Sequence, residues 1–147
     1  MLFKRVILSS LLLMVFAASQ AQVKHKAKSK LPGIAASIAK GKDVYMQTCV
    51  TCHQVDGGGV QNMNPPLIKT TYVLGDKTKL ITIVLNGFNE KVEIEGNTYT
   101  NVMPSHDFLK DQDIANVLTY VRNSFGNKAS AVTAIEVKKV RATVKKT

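Results

Sequence analysis

The apolar positions of this 147-residue chain recur with different periods in different stretches, and those periods predict its elements. Ile114, Val117, Leu118 and Val121 repeat at helical spacing within Lys110 to Ser124. Asp111 and Asp113 place negative charge in the first turn of that helix, and Phe125-Gly126-Asn127 stops it. Asp76 to Gly87 is bounded as a helix, with Asp76 as N-cap and Gly87 as C-terminal stop. Its interior, Leu80-Ile81-Thr82-Ile83-Val84-Leu85, has the β-branched composition of a buried strand, and the boundaries decide for helix. Val92, Ile94 and Tyr99 alternate around Glu95-Gly96-Asn97 as a small hairpin does. Ile34 to His53 reads as a helix entered after Leu31-Pro32-Gly33 and ended by Asp56-Gly57-Gly58-Gly59, and Asn64-Pro65-Pro66-Leu67 follows as a stiff, extended segment. A glycine inside a helix costs ~1 kcal/mol relative to alanine, so Gly41 predicts another element crossing closely there. Thr133 and Glu136 have capping-box spacing ahead of a short basic helix containing Val137 and Val140.

The N-terminus changes the picture of where the domain lies. Lys4 and Arg5, the apolar run Val6 to Ala18 and the small-residue pattern Ser19-Gln20-Ala21 read as a secretory signal, 1–21, with the mature chain beginning at Gln22. The apolar run is shorter than the ~20 residues a membrane-spanning helix needs. A basic arm, 22–38, precedes a domain at 39–127, and a short helix with a basic tail, 128–147, closes the chain. So small a domain buries too little surface to be comfortable without a staple.

Charge divides along the same lines. The formal net charge is +10, or +8 without Lys4 and Arg5, yet Lys40 to Asn127 holds eight basic and nine acidic residues. The excess sits in two arms, Lys24, Lys26, Lys28 and Lys30 in one, and Lys128, Lys138, Lys139, Arg141, Lys145 and Lys146 in the other. The arms lack interleaved aromatics and the chain reads as exported, which argues against nucleic acid as a partner. They read as solvated ends with a weak attraction for anionic surfaces.

The candidate chemistry is in Cys49-Val50-Thr51-Cys52-His53, a single C-x-x-C-H, the spacing of covalent c-type haem attachment. On a helix these three side chains share one face, so the thiols can bond the haem vinyl groups while His53 binds the iron. A thioredoxin-type pair expects a βαβ surround that is missing here. Zinc needs four ligands, and His25 and His106 are too distant and unpatterned to complete a set with two cysteines. A disulfide across three residues of a helix is strained. For the second axial ligand the mature chain offers Met46, Met63, Met103, His25 and His106. Met46 shares the helix of Cys49 and cannot reach the opposite ring face, and Met63 lies in a short loop returning on the proximal side. Met103, in the loop Asn101-Val102-Met103-Pro104, is the candidate distal ligand, with His106 as runner-up. The ordinary role of a lone methionine is core filling.

From about Ala39 to Arg141 the chain resembles class I monohaem cytochromes c, on the ordered motifs Cys-Val-Thr-Cys-His, Asn-Pro-Pro-Leu and Val-Met-Pro. The resemblance implies an all-α cytochrome c fold with a small β-hairpin before the distal-ligand loop, and one covalently attached haem c. It implies that Gly41 and Tyr45 meet Val117 and Tyr120 where the first and last family helices cross. It also implies that the Pro65 carbonyl accepts a hydrogen bond from the proximal His53, fixing its tautomer. Lys110 departs from the family form, in which serine or threonine caps the helix. The stretch from Tyr99 to Val137 is similar to cytochrome c domains fused to copper nitrite reductases or accompanying periplasmic sugar and alcohol dehydrogenases.

The expected function is therefore that of an exported electron carrier rather than an enzyme, periplasmic in a bacterium. Its donor and acceptor are redox proteins such as a reductase, dehydrogenase or terminal oxidase, with at most peripheral membrane contact through the arms. The alternative is an electron-transfer subunit bound to a larger periplasmic reductase or dehydrogenase. A haem enzyme or gas sensor would need an open iron position, and a dihaem peroxidase a second haem motif that the sequence lacks.

Overall fold

The computed structural model describes residues 33–144; the signal segment, most of the first basic arm and the last three residues lie outside the described residues. Helix α1 (Gly33–Thr48) runs into the one-turn helix α2 (Val50–His53), with Cys49 between them. The sequence predicts one helix here, and helical bonding does continue through the junction, from Cys49 N to Tyr45 O and from His53 N to Cys49 O, each at 2.9 Å. The break is local. Thr48 Oγ1 bonds back to Val44 O at 2.8 Å, a contact that bends helices, and Cys49 opens to φ −115°. Because α1 starts at Gly33, residues 33–38 belong to the folded unit and not to a free arm, and Ser37 Oγ donates to Asn116 Oδ1 at 2.8 Å.

A second one-turn helix, α3 (Thr71–Leu74), has no period to announce it; its cap is the Thr70 hydroxyl, which accepts from Val73 N at 3.2 Å. Helix α4 (Lys77–Asn86) is capped by Asp76, which accepts from Lys79 N at 2.7 Å, and stops at Gly87. The β-branched run is helical because Asp76 caps its start, Gly87 ends it, and Leu80, Ile81, Val84 and Leu85 bury one face. Strands β1 (Val92–Ile94) and β2 (Asn97–Tyr99) pair antiparallel, Val92 opposite Tyr99 and Ile94 opposite Asn97. Their two-residue turn puts Glu95 and Gly96 at φ 52° and 76°, the double positive φ that matches strand twist.

Helix α5 (Asp111–Arg122) starts from Lys110, whose side chain makes no capping bond, so the first turn relies on Asp111 and Asp113. Helix α6 (Ala134–Thr143) has the expected capping box: Thr133 N donates to Glu136 Oε2 at 2.7 Å and Glu136 N to Thr133 Oγ1 at 3.3 Å.

The core forms where α1 crosses α5. Tyr45, fully buried, packs its ring against Tyr120 and Phe125 at centroid distances of 5.4 Å. Helix α6 buries Val137 and Val140 against α4 and α5, so the terminal helix is part of this core. Lys77 Nζ ties it down through Glu136 Oε1 at 2.9 Å and Ala131 O at 2.6 Å. Arg122, 3% exposed, donates to Val73 O at 2.5 Å and Ser130 O at 2.9 Å, satisfying a buried cation with carbonyl oxygens. Among the described residues no helix is long and apolar enough to cross a membrane.

Candidate cofactor site

The helices close around one large, mostly apolar cavity of about 1310 Å³, part of it open to solvent at the mouth. Cys49, Cys52 and His53 enter from the α1–α2 junction, Pro65 and Leu67 from the extended segment, Leu80 and Val84 from α4, and Val117, Leu118 and Val121 from α5. Met103, Pro104, His106 and Leu109 complete it from the loop before α5. The structure thus brings together Cys49, Cys52, His53, Pro65, Met103 and the runner-up His106, while His25 lies outside the described residues. Met46 and Met63 are 45% and 50% exposed and take no part in the lining.

His53 Nδ1 lies 3.0 Å from the Pro65 carbonyl oxygen. A carbonyl can only accept, so Nδ1 carries the hydrogen and Nε2 keeps its lone pair. Burial pushes the His53 pKa down against the pull of the Pro65 bond, which favours the neutral imidazole that metal ligation needs. Pro65 is itself held in place. Leu67 N donates to Gly57 O at 2.7 Å, and Gly59, at φ 66°, brings its Cα so close that a Cβ would press on the Asn64 and Pro65 carbonyls. Asn127 Nδ2 donates to Leu67 O at 2.9 Å and to Val121 O at 2.8 Å, and Asn127 Oδ1 accepts from Lys69 N at 2.7 Å. Cys49 is half-buried and burial raises its thiol pKa, whereas Cys52 is exposed at the cavity mouth.

In the loop before α5, Met103 pairs with Phe88 in an isolated antiparallel bridge, each amide donating to the other carbonyl at 2.8 Å. Gly87 makes that approach possible, because a Cβ there would meet the Met103 carbonyl. The loop is pinned to α4 by Ser105 Oγ on Leu85 O at 2.6 Å and His106 N on Val84 O at 2.9 Å. His106 Nδ1 lies 2.9 Å from Pro104 O. Sequence patterning misses Gly59, Phe88 and Asn127; only the run of three glycines hints at a close approach near the histidine.

The donor set fits a covalently held haem. Two free thiols, a neutral imidazole with its second nitrogen free of protein partners among the described residues, and a thioether line one apolar cavity.

Comparison with known proteins agrees with that chemistry. Residues 38–125 match the family model described as cytochrome c. The chain is 36% identical over 121 residues to cytochrome c-552 of Thermus thermophilus, covering 76% of this chain and 81% of that protein. It is 38% identical over 108 residues to the cytochrome c subunit of the quinone alcohol dehydrogenase of Gluconacetobacter polyoxogenes, covering 70% of this chain and 22% of that subunit. It is 35% identical over 105 residues to the gluconate 2-dehydrogenase cytochrome c subunit of Pantoea cypripedii, covering 69% and 24%.

Proposed function

The chain belongs to the cytochrome c family, with one covalently attached haem c and a role in electron transfer, and we propose that it is an exported carrier whose haem is held by Cys49, Cys52, His53 and Met103. The observation that carries this reading is the 3.0 Å bond from His53 to Pro65 inside the cavity that the two thiols and Met103 also line.

When bound, the haem supplies a one-electron iron couple. Cys49 and Cys52 would anchor it by thioether bonds and make it a permanent part of the core. His53 presents Nε2 to the iron in a tautomer fixed by Pro65. Met103 gives a soft thioether, which favours the reduced state, and its bridge to Phe88 holds the backbone that carries it. His53 and Met103 together would leave the iron no open position for substrate, which supports a carrier over an oxidase, peroxidase or gas sensor. Cys52, exposed in the cavity lining, would leave the nearby edge of a bound haem accessible to a partner.

Likeness to the cytochrome c-552 proteins supports a carrier of single electrons. The dehydrogenase cytochrome subunits support a dehydrogenase as one redox partner, and a carrier bound to such an enzyme is the second reading. The Lys4-Arg5 start and apolar run support export, with periplasmic haem attachment in a bacterium. Intact mass of the protein recovered from the periplasm tests the proposal: one haem that survives acid and organic extraction, on a chain beginning at Gln22, is expected. Extraction of the colour into the organic phase would contradict it.

A further inference from the structure

Arg141 lies in α6, beyond the residues 38–125 that match the family. All three guanidinium nitrogens are engaged, and all on the segment that runs from Met103 into α5. Nη1 donates to Asp107 O at 2.8 Å, Nη2 to Leu109 O at 2.7 Å and Nε to Asp111 Oδ1 at 2.7 Å. The side chains of Arg141 and Asp111 are only 31% and 29% exposed, so the pair is partly shielded from water. The N-terminal leg of the same loop is held at Phe88, Leu85 and Val84. The C-terminal leg, from Asp107 to Lys110, has Arg141 as its cross-link to the terminal helix. Leu109, whose carbonyl it grips, also lines the cavity.

We propose that Arg141 is a positioning residue for the distal ligand: it latches the Met103 loop shut from the terminal helix and sets how often Met103 leaves the iron. The inference rests on Met103 being that ligand. For an outside ligand to bind, the loop must open first, and its apparent affinity scales with the fraction of molecules open. Breaking the latch raises that fraction. Only a planar fork reaches three divergent acceptors at once, so lysine replaces the charge without replacing the latch.

Imidazole binding to the ferric holoprotein reads the opening directly, followed by loss of the thioether absorption band. Arg141→Gln is expected to tighten imidazole binding about tenfold, equivalent to ~1.4 kcal/mol, with Arg141→Lys between it and the wild type. Lys77→Met, which cuts the other tether of α6, serves as the control for plain destabilisation and is expected to leave the affinity unchanged. A change within threefold in Arg141→Gln, or an equal tightening in Lys77→Met, overturns the proposal. If Arg141→Gln does not mature, amide exchange of Arg141→Lys decides: faster exchange across residues 104–109 supports the latch, and unchanged exchange overturns it. Failure of the ligand assignment has its own signature, a Met103→Ala protein that binds imidazole no tighter than the wild type, and that outcome removes both readings.

Discussion

The backbone of Gly41 lies directly against the carbonyl of Asn116, and a Cβ built on Gly41 would stand 2.7 Å from the Cβ of Tyr120. The crossing of α1 and α5 therefore depends on the absence of one methyl group. Gly41→Ala is expected to destabilise the holoprotein by about 3 kcal/mol, at the upper end of overpacking costs, since the obstacle is backbone and cannot rotate away. Denaturant unfolding followed by far-UV circular dichroism measures the loss, and a midpoint equal to wild type would show that the helices separate freely.

Asn127 is buried with three hydrogen bonds into the Leu67–Lys69 segment and the end of α5. Asn127→Ala leaves two carbonyls and an amide without their partner, a cost of about 1–3 kcal/mol for each group that stays dry. Stability should fall by at least ~2 kcal/mol, and the His53 ring resonances in the reduced protein should shift because the chain after Pro65 loosens. Unshifted resonances would mean that Gly57 and Gly59 alone fix the proximal segment.

The Glu136 carboxyl is held below its ordinary value of 4.5, chiefly by the hydrogen bond from Lys77 and then by the Thr133 amide. A depressed folded-state pKa contributes stability that is complete above the unfolded value and is lost as pH falls through the folded one. Acidification below about pH 4.5 should thus loosen α6 before the haem core unfolds, as the capping box and the Lys77 contact go together. Glu136 is partly exposed, its side chain at 40%, so solvent screening keeps the step small. Amide exchange of residues 134–143 across the acid range should show it in the wild type and not in Glu136→Gln.

The lysines of the first arm lie outside the described residues, and their sequence reads as a solvated end with a weak attraction for anionic surfaces. Deletion of residues 22–30 should leave spectrum and potential unchanged. If the arm steers the protein to an anionic partner, reduction by that partner slows at low salt and matches the full chain at 1 M, where the Debye length is ~3 Å. Equal rates at low salt reduce the arm to a solvated linker.

Much of this architecture is readable in the residue pattern. The α5 stripe, the caps of α4, the Glu95-Gly96 turn and the Thr133–Glu136 box each follow from local chemistry, and local chemistry is what a sequence displays. Cys49, Cys52, His53, Pro65 and Met103 are legible through their spacing and through the family resemblance, and the structure places all five around one cavity. What escapes the pattern is long-range. Helix α3 is one turn with a single buried residue, Val73, too short for any period. Arg141 reads as one more basic residue of a tail, and only the fold brings it across some thirty positions to Asp107, Leu109 and Asp111. Asn127 looks like a helix stop, and its grip on Leu67 spans sixty positions.

In the proposed site Met103 and His53 would both bind the iron of the single haem, and the ferric absorption spectra of two variants separate that arrangement from one using His106. A low-spin protein is expected, with a thioether band that vanishes in Met103→Ala and survives in His106→Ala, and with Met103→Ala gaining carbon monoxide binding in the ferrous state and a lower potential. A band that persists in Met103→Ala while His106→Ala alters the spectrum would contradict it.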